Sequence, residues 1–192
     1  MTKSIDFYFD FISPYSYLAH KKIINLNLRN IFNYKAILLG GLHNLAEVTP
    51  PAFNERKMKN MKDDCILIAK KNKIPFKWNE KFPANSLYLM RGFLIIDDNK
   101  KSKFIDLCFD AYWKDNINIL IDKNIQKILK DCEINHAIFE KGIKEQKIKD
   151  KLKDLTNEAF KFTIFGAPTF IVNDKLFWGQ DRLEYAIDES KN

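Results

Sequence analysis

The stretch Phe9-Asp10-Phe11-Ile12-Ser13-Pro14-Tyr15-Ser16-Tyr17-Leu18 joins a predicted strand to a predicted helix. Every second residue from Ile5 to Phe11 is apolar, which is the pattern of a strand with one buried face. After Pro14 the apolar residues recur three or four positions apart, which places them on one face of a helix. The period changes at Ser13. The sequence therefore predicts a strand over 5–11 that runs directly into a helix.

Ser13 followed by Pro14 is typical of a helix start, with serine as the N-cap and proline at the first helical position. Local sequence alone favours this purely structural role for Ser13. The alternative is functional, because the unpaired N–H groups of a helix N-terminus favour a bound anion, to which Ser13 would donate a hydrogen bond. The local pattern leaves both interpretations open.

Further along the chain, the strand pattern over Tyr34 to Leu39 follows the first helix at the length of a β-α-β crossover, so these two strands are predicted to be parallel. From about Asn54 to about Phe162 the apolar period is helical throughout. Five apolar stripes carry this prediction: Met58, Met61, Cys65 and Ile68; Leu87, Met90 and Leu94; Phe104, Leu107, Cys108 and Ala111; Ile121, Ile125, Ile128 and Cys132; and Ile148, Leu152, Leu155 and Ala159.

The last 30 or so residues return to strand patterns. Two short apolar runs, Thr169–Val172 and Lys175–Trp178, are separated by Asn173-Asp174, a pair that tolerates the positive φ of a hairpin turn. A final helix is predicted after Gly179, with Asp181 as its cap. Pro168 stands just before the first of these strands, and in isolation its peptide bond is predicted to be trans.

The element order is β-α-β, a large all-helical insertion, and then α-β-β-α. This order predicts an α/β protein with a thioredoxin-like fold. We assign residues 1–50 and 160–192 to the thioredoxin-like domain and residues 51–159 to the inserted helical domain. The length of 192 residues and the 46% hydrophobic composition fit one compact unit of this kind.

Composition argues against several classes of function. The net charge is +7, but the chain has only four arginines and no basic run interleaved with aromatic residues, so a nucleic-acid partner is not expected. The longest apolar runs are far shorter than the roughly 20 residues of a membrane helix. No signal peptide is visible, which predicts a cytoplasmic protein. Cys65, Cys108 and Cys132 are too far apart for a zinc motif or a disulfide framework and are predicted to be buried and reduced.

His20, His43 and His136 lie in no triad or metal-ligand spacing, so we expect ordinary surface or loop histidines and no metal site.

Three segments together resemble one family. They are FYFDFISPYSYLA (7–19), FPANSLYLMR (82–91) and FGAPTFIVNDKLFWGQDRLEY (165–185). Their order around a helical insertion is similar to that of the 2-hydroxychromene-2-carboxylate isomerases and kappa-class glutathione transferases, which are relatives of the DsbA-type thioredoxin proteins. The resemblance extends from about Ile5 to Tyr185, which is nearly the whole chain.

The resemblance implies a site for glutathione as cofactor. Ser13 would face the glutathione sulfur, so that Ser13-Pro14-Tyr15-Ser16 replaces the redox CxxC motif. Pro168 would be cis, and the Ala167 backbone would hydrogen-bond the cysteinyl part of the tripeptide. Gln180 and Asp181 would hold the γ-glutamyl end, and Lys57 would hold the glycine carboxylate.

The activity implied by the resemblance is a glutathione-dependent isomerisation of 2-hydroxychromene-2-carboxylate-like aromatic acids, by transient thiolate addition and elimination. A kappa-class glutathione S-transferase acting on electrophiles is the nearest alternative, and a non-redox DsbA-like peptide-binding protein is the second. A homodimer is implied by resemblance only. The sequence departs from the family at Val48 or Thr49, where an asparagine that contacts glutathione often stands before the paired prolines.

Overall fold

The structure is a computed structural model that describes residues 2–192. Four strands and nine helices follow one another in the described chain. In order, they are β1 (Ile5–Phe9), α1 (Pro14–Asn25), β2 (Phe32–Ala36), α2 (Leu39–Leu45), α3 (Glu55–Lys71), α4 (Leu87–Ile95), α5 (Asp98–Trp113), α6 (Asp122–Asp131), α7 (His136–Gly142), α8 (Gln146–Lys161), β3 (Thr169–Val172), β4 (Lys175–Trp178) and α9 (Leu183–Glu189). Short 3-10 turns precede β2, α3 and α9.

The four strands form one mixed sheet in the order β2-β1-β3-β4. β1 runs parallel to β2, with Phe7 opposite Tyr34, and antiparallel to β3, with Phe7 opposite Phe170. β3 and β4 form an antiparallel hairpin. The β-α-β start and the β-β end predicted from the sequence are therefore confirmed.

The end of β1 differs from the prediction of a strand over 5–11. Pairing with β2 stops at Phe9, because the Asp10 carboxylate accepts hydrogen bonds from the amides of Ile12, at 3.1 Å, and Leu39, at 2.8 Å, and turns the chain toward α1. The second strand is also displaced from the predicted 34–39 to Phe32–Ala36. Residues at the end of the apolar run begin α2 instead.

Most of the hydrophobic core lies on one face of the sheet and is rich in aromatic rings. Phe7 contacts both Phe9 and Phe170 in the sheet, and Phe109 of α5 reaches Phe9, with ring centroids 5.9 Å apart. A smaller cluster that includes Leu42 of α2 and Ala159 of α8 forms a separate part of the core. Burial of large rings supplies much of the hydrophobic driving force, since each covers about 150–250 Å².

The five predicted apolar stripes lie on α3, α4, α5, α6 and α8, and their helices are confirmed. Residues 72–86, which lie between the first two stripes and include Pro75 and Pro83, contain no helix. The short helices α2 and α7 were not predicted, since each has only seven residues and too few positions to show a period. The assignment of residues 51–159 to an inserted helical domain stays a prediction. Helix α8 crosses the boundary at residue 159 and contacts both α2 and α4.

His20 is completely buried, so the expectation of a surface or loop histidine is wrong at this position. Its Nδ1 lies 2.8 Å from the Tyr34 hydroxyl, and its Nε2 lies 2.8 Å from Asp106 Oδ1, which Arg29 also contacts. Burial holds the pKa of His20 below its usual range, while the Asp106 carboxylate opposes this shift. The imidazole is therefore a structural link between α1, β2 and α5.

The C-terminal hairpin turns at Asn173 and Asp174, which both have positive φ, as the sequence predicts. The prediction that Asp181 caps the last helix is wrong. Asp181 lies inside a 3-10 turn, and α9 starts at Leu183 without a side-chain cap. All three cysteines are buried and free, as expected. Within residues 2–192, no helix combines the length and apolar character needed to cross a bilayer.

Candidate functional site

Ser13 is the N-cap of α1, and its side chain is almost fully buried at the centre of the junction between β1 and this helix. The Ser13 Oγ accepts a hydrogen bond from the Ser16 amide at 3.1 Å and donates one to the Ala167 carbonyl at 2.8 Å. The capping role is therefore confirmed. The second bond adds a long-range contact that no cap requires, because it joins the helix N-terminus to the loop before β3.

The loop before β3 carries a cis peptide bond between Ala167 and Pro168. The trans bond expected for this proline in isolation is wrong, and the cis bond implied by the resemblance is present. The Ala167 carbonyl is occupied by Ser13, whereas the Ala167 amide donates no hydrogen bond within residues 2–192. An extended peptide lying along this loop would meet a free donor there.

Two further polar groups at the start of α1 have no partner in the described chain. The Tyr15 amide donates no hydrogen bond to another group of residues 2–192. The Ser16 Oγ is completely buried and also unpaired. Buried polar side chains without partners are uncommon, and one of them, Ser16 Oγ, lies beside Ser13 at the positive end of the helix dipole. This end of α1 is suited to an anion.

Asp10 stabilises the segment between β1 and α1 that carries Ser13. The side chain is fully buried, and burial raises the pKa of this carboxyl, opposed by hydrogen bonds from Ser86, Leu39 and Ile12. Because the two carboxylate oxygens accept from different amides, Asp10 joins the start of α2 to the segment that leads into Ser13. Asp10 was not among the predicted site residues, although a carboxylate at a strand end just before a predicted cap is a usable signal.

Gln180 and Asp181 lie close to the proline loop, because the Gly179 amide donates to the Pro168 carbonyl at 2.9 Å. The Gln180 side chain is buried, and its Oε1 accepts from Lys22 Nζ at 2.7 Å. The Asp181 carboxylate is exposed and pairs with Arg182 at 3.2 Å. Sequence reasoning missed Lys22, because its neighbour Gln180 is 158 residues away along the chain.

Lys57 lies in the first turn of α3, is exposed, and is not in contact with Ser13 or Pro168. Its helix is nevertheless attached to α1 beside the site, since the Tyr15 hydroxyl donates to Asp64 Oδ2 at 2.7 Å. Seven residues separate Lys57 from Asp64, so both lie on the same face of α3, about 10 Å apart along the axis. Lys57 therefore lies on the face of α3 that is directed toward α1.

The predicted site residues fall into two groups. Ser13, Ala167 and Pro168 meet directly, and Gln180 and Asp181 are joined to them through Gly179. Lys57 stands apart on α3. Val48 is exposed in the loop after α2, at the position where the family asparagine was expected.

Other polar clusters lie away from this site. Asp122, His136 and Glu140 come together at the junction of α6 and α7, a grouping that the sequence analysis did not predict. His136 Nε2 is 3.0 Å from Asp122 Oδ1. These side chains are partly exposed, and the contact of His136 with Asp122 accounts for their grouping. The absence of a metal site remains a prediction.

Comparison with known proteins gives consistent matches. The family model for the DSBA-like thioredoxin domain matches residues 4–188. A 2-hydroxychromene-2-carboxylate isomerase of Sphingobium xenophagum is 28% identical over 96% of each chain, and a glutathione S-transferase kappa 1 of Caenorhabditis elegans is 26% identical over 96% of this chain and 89% of its own.

A solved structure also matches the fold of this chain. A solved structure of a 2-hydroxychromene-2-carboxylate isomerase superposes with a TM-score of 0.84 at 24% identity, covering 94% of this chain and 91% of the other. Together with the family model, this similarity confirms the predicted thioredoxin-like fold with its DsbA-type arrangement.

Proposed function

Because this chain belongs to the DSBA-like thioredoxin domain family, we propose that it is a glutathione-dependent isomerase of 2-hydroxychromene-2-carboxylate-like aromatic acids. The predicted resemblance to the isomerase and kappa-class transferase family is confirmed by near full-length relatives that carry those names. These relatives are enzymes, and so is this chain. The reaction and the cofactor are our proposal.

The observation that carries the proposal is the Ser13 hydroxyl, buried at the N-terminus of α1 against the Ala167 carbonyl. Serine occupies both position 13 and position 16, so this helix start cannot form the disulfide of a CxxC motif. A thiol must then come from a bound molecule. The unpaired Tyr15 amide and the helix dipole favour the ionised form of such a thiol.

The surrounding groups fit a tripeptide thiol with a charged group at each end. The free Ala167 amide can pair with the backbone of the cysteinyl residue, and Asp181 can bind the γ-glutamyl ammonium. Lys57 can bind the glycine carboxylate, provided that its long side chain reaches along α3 toward the helix start. These assignments to glutathione remain part of the proposal.

Bound glutathione would supply a thiolate that adds to the conjugated double bond of the acid, permits rotation about the resulting single bond, and leaves unchanged on elimination. Ser13 stabilises the sulfur and is not itself the nucleophile. In the described state its proton is directed to the Ala167 carbonyl, so Ser13 must rotate its hydroxyl to donate to the sulfur. The net charge of +7 assists the approach of an anionic substrate.

Kappa-class transferase activity is the alternative that the second group of relatives favours. It requires the same glutathione site and differs only in whether the adduct is released. The two activities are therefore separated by the products and not by the geometry around Ser13.

Binding is tested first, by calorimetry with glutathione at neutral pH, on wild-type protein and on Ser13→Ala. We expect binding to wild type, and a higher thiol pKa for glutathione bound to the variant, measured by thiolate absorbance. Loss of one hydrogen-bond donor to a reacting anion typically lowers kcat about 100- to 1,000-fold, so the catalytic rate of Ser13→Ala should fall by a similar factor. No glutathione binding to wild type, or an unchanged thiol pKa in Ser13→Ala, would contradict the proposal.

Products are then compared after incubation of the protein with glutathione and the chromene acid. Isomerised acid with all glutathione recovered supports the isomerase. A stable conjugate with loss of free thiol supports the transferase instead.

Two further parts of the proposal concern the state of the protein. We propose a cytoplasmic homodimer. The three free, buried cysteines and the use of reduced glutathione favour a reducing compartment. Sedimentation or light scattering measures the mass, and a particle of one chain at micromolar concentration would rule out the dimer.

A further inference from the structure

Lys22 is a half-buried lysine that contacts the predicted γ-glutamyl site and has no acidic partner. Its Nζ donates to Gln180 Oε1 at 2.7 Å, and no carboxylate of residues 2–192 comes within 4.0 Å of it. Burial lowers the pKa of Lys22, while Glu184 and Asp181 oppose this shift. An ammonium has three donors, and a single neutral amide oxygen leaves most of this capacity unused.

Charges of both signs lie near Gln180. Lys22 supplies a positive charge at the amide oxygen, and Asp181, the next residue in the chain, supplies an exposed negative charge. Lys71 adds a second positive charge near Lys22. An amino-acid head group carries an ammonium and a carboxylate on the same carbon, so it needs one partner of each sign at close range.

We propose that Lys22 binds the α-carboxylate of the γ-glutamyl residue of glutathione, while Asp181 binds its α-ammonium. This assignment rests on the proposed function, and it adds a residue that neither the three sequence motifs nor the predicted site includes. Gln180 holds Lys22 in place through its side-chain oxygen. The pair selects a free amino-acid head group over an ordinary peptide N-terminus, which lacks the carboxylate.

The position of Lys22 along α1 fits the length of the ligand. Ser13 and Lys22 are nine residues apart, which is about 13 Å along the helix axis. The side chain of Lys22 leans toward the helix N-terminus, as helical side chains do, and so shortens this distance by several ångströms. Eight bonds join the glutathione sulfur to the carbon of the γ-glutamyl α-carboxylate, a path of about 10 Å when extended, so a ligand with its sulfur at Ser13 can reach the Lys22 ammonium.

The adjacent lysine provides a matched control. Lys21 lies on the same helix and is also half-buried, but its Nζ forms an ion pair with Asp110 at 3.0 Å. Substitution of either lysine by methionine keeps most of the aliphatic stem and removes one positive charge. Only Lys22 is directed toward Gln180.

The experiment measures the affinity of two ligands by calorimetry. The first is glutathione, and the second is γ-aminobutyryl-cysteinyl-glycine, which lacks only the α-carboxylate. We expect wild type and Lys21→Met to bind glutathione about 10- to 100-fold more tightly than the analogue, and Lys22→Met to bind both ligands equally. Lys22→Arg should retain most of the preference, because it keeps the charge.

The failures of the two proposals are distinguishable. If wild type binds no glutathione, the proposed function is overturned, and this assignment with it. If wild type binds glutathione but does not prefer it to the analogue, or if Lys22→Met keeps the preference, only the role of Lys22 is overturned. Thermal unfolding of each variant checks that the protein is folded; if Lys22→Met is unfolded, the wild-type preference and Lys22→Gln decide the outcome.

Discussion

The N-terminus and the middle of helix α1 differ in whether their buried polar groups are paired. In the middle of the helix, His20 is completely buried and both ring nitrogens have partners, Tyr34 and Asp106. At the N-terminus, the buried Ser16 Oγ and the Tyr15 amide have no partner in the described chain. A paired buried group costs little free energy, whereas an unpaired one costs about 1–3 kcal/mol. We infer that the paired part of α1 stabilises the fold and the unpaired part awaits a ligand.

The largest effect is expected from His20→Leu, which removes both hydrogen bonds and leaves the Tyr34 hydroxyl and the Asp106 carboxylate without this partner. Stability should fall by about 2–4 kcal/mol, measured by urea unfolding. His43→Leu is the control, because His43 forms no side-chain hydrogen bond within residues 2–192, and it should change stability far less. If both variants lost the same free energy of unfolding, the hydrogen bonds of His20 would not stabilise the fold.

Asp10→Asn tests the segment that leads into the N-terminus of α1. Both carboxylate oxygens accept from amides, and asparagine would offer one oxygen and place an NH₂ donor against the other N–H. We expect a loss of about 1–3 kcal/mol in the free energy of unfolding, together with weaker glutathione binding, because the segment leading to Ser13 loosens. Asp6→Asn, in β1 and half-exposed, should change neither. An intact Asp10→Asn protein of wild-type stability would contradict this role of Asp10.

The pH dependence of stability tests the paired, middle part of α1 through His20. Because the pKa of His20 is lowered in the folded protein, folding favours the neutral imidazole. The contribution of neutral His20 to the free energy of unfolding is complete above the unfolded pKa of about 6.5. It is lost as the pH falls below that value, by at most about 1.4 kcal/mol per pH unit.

Chemical unfolding at several pH values between 7 and 5 measures this term as the difference between wild type and His20→Gln. The stability of wild type should fall more steeply with acidification than that of the variant. Parallel pH curves would show that His20 is not held neutral by the fold.

The smallest effect concerns two buried serines. Ser190 Oγ donates to the Ile187 carbonyl at 2.6 Å, so Ser190→Ala should cost about 1 kcal/mol. Ser16→Ala removes a hydroxyl that has no partner, and stability should stay the same or rise slightly. Thermal unfolding of the two variants side by side measures this contrast. A larger loss for Ser16→Ala than for Ser190→Ala would mean that the N-terminal end of α1 is as fully paired as its middle.

Several parts of the fold could be predicted because they depend on residues close in the chain. The period change at Ser13, the five long helical stripes and the Asn173-Asp174 turn are local patterns, and all three are confirmed. Of the wrong predictions, one failed because of a distant contact and another because of a local turn. The strand over 5–11 ends early because the Asp10 side chain reaches Leu39, and Asp181 is no cap because the chain first forms a 3-10 turn.

The sequence by itself determined the element order, the serine in place of a redox cysteine, and, through three separated motifs, the family. The contacts at the site were decided only by the tertiary structure. The hydrogen bond from Ser13 to Ala167 spans 154 residues and the one from Lys22 to Gln180 spans 158. Such pairs leave no periodic signal, because periodicity reports which face of an element is buried and not which distant group it meets. His20 shows the same limit, since only folding made it a core residue.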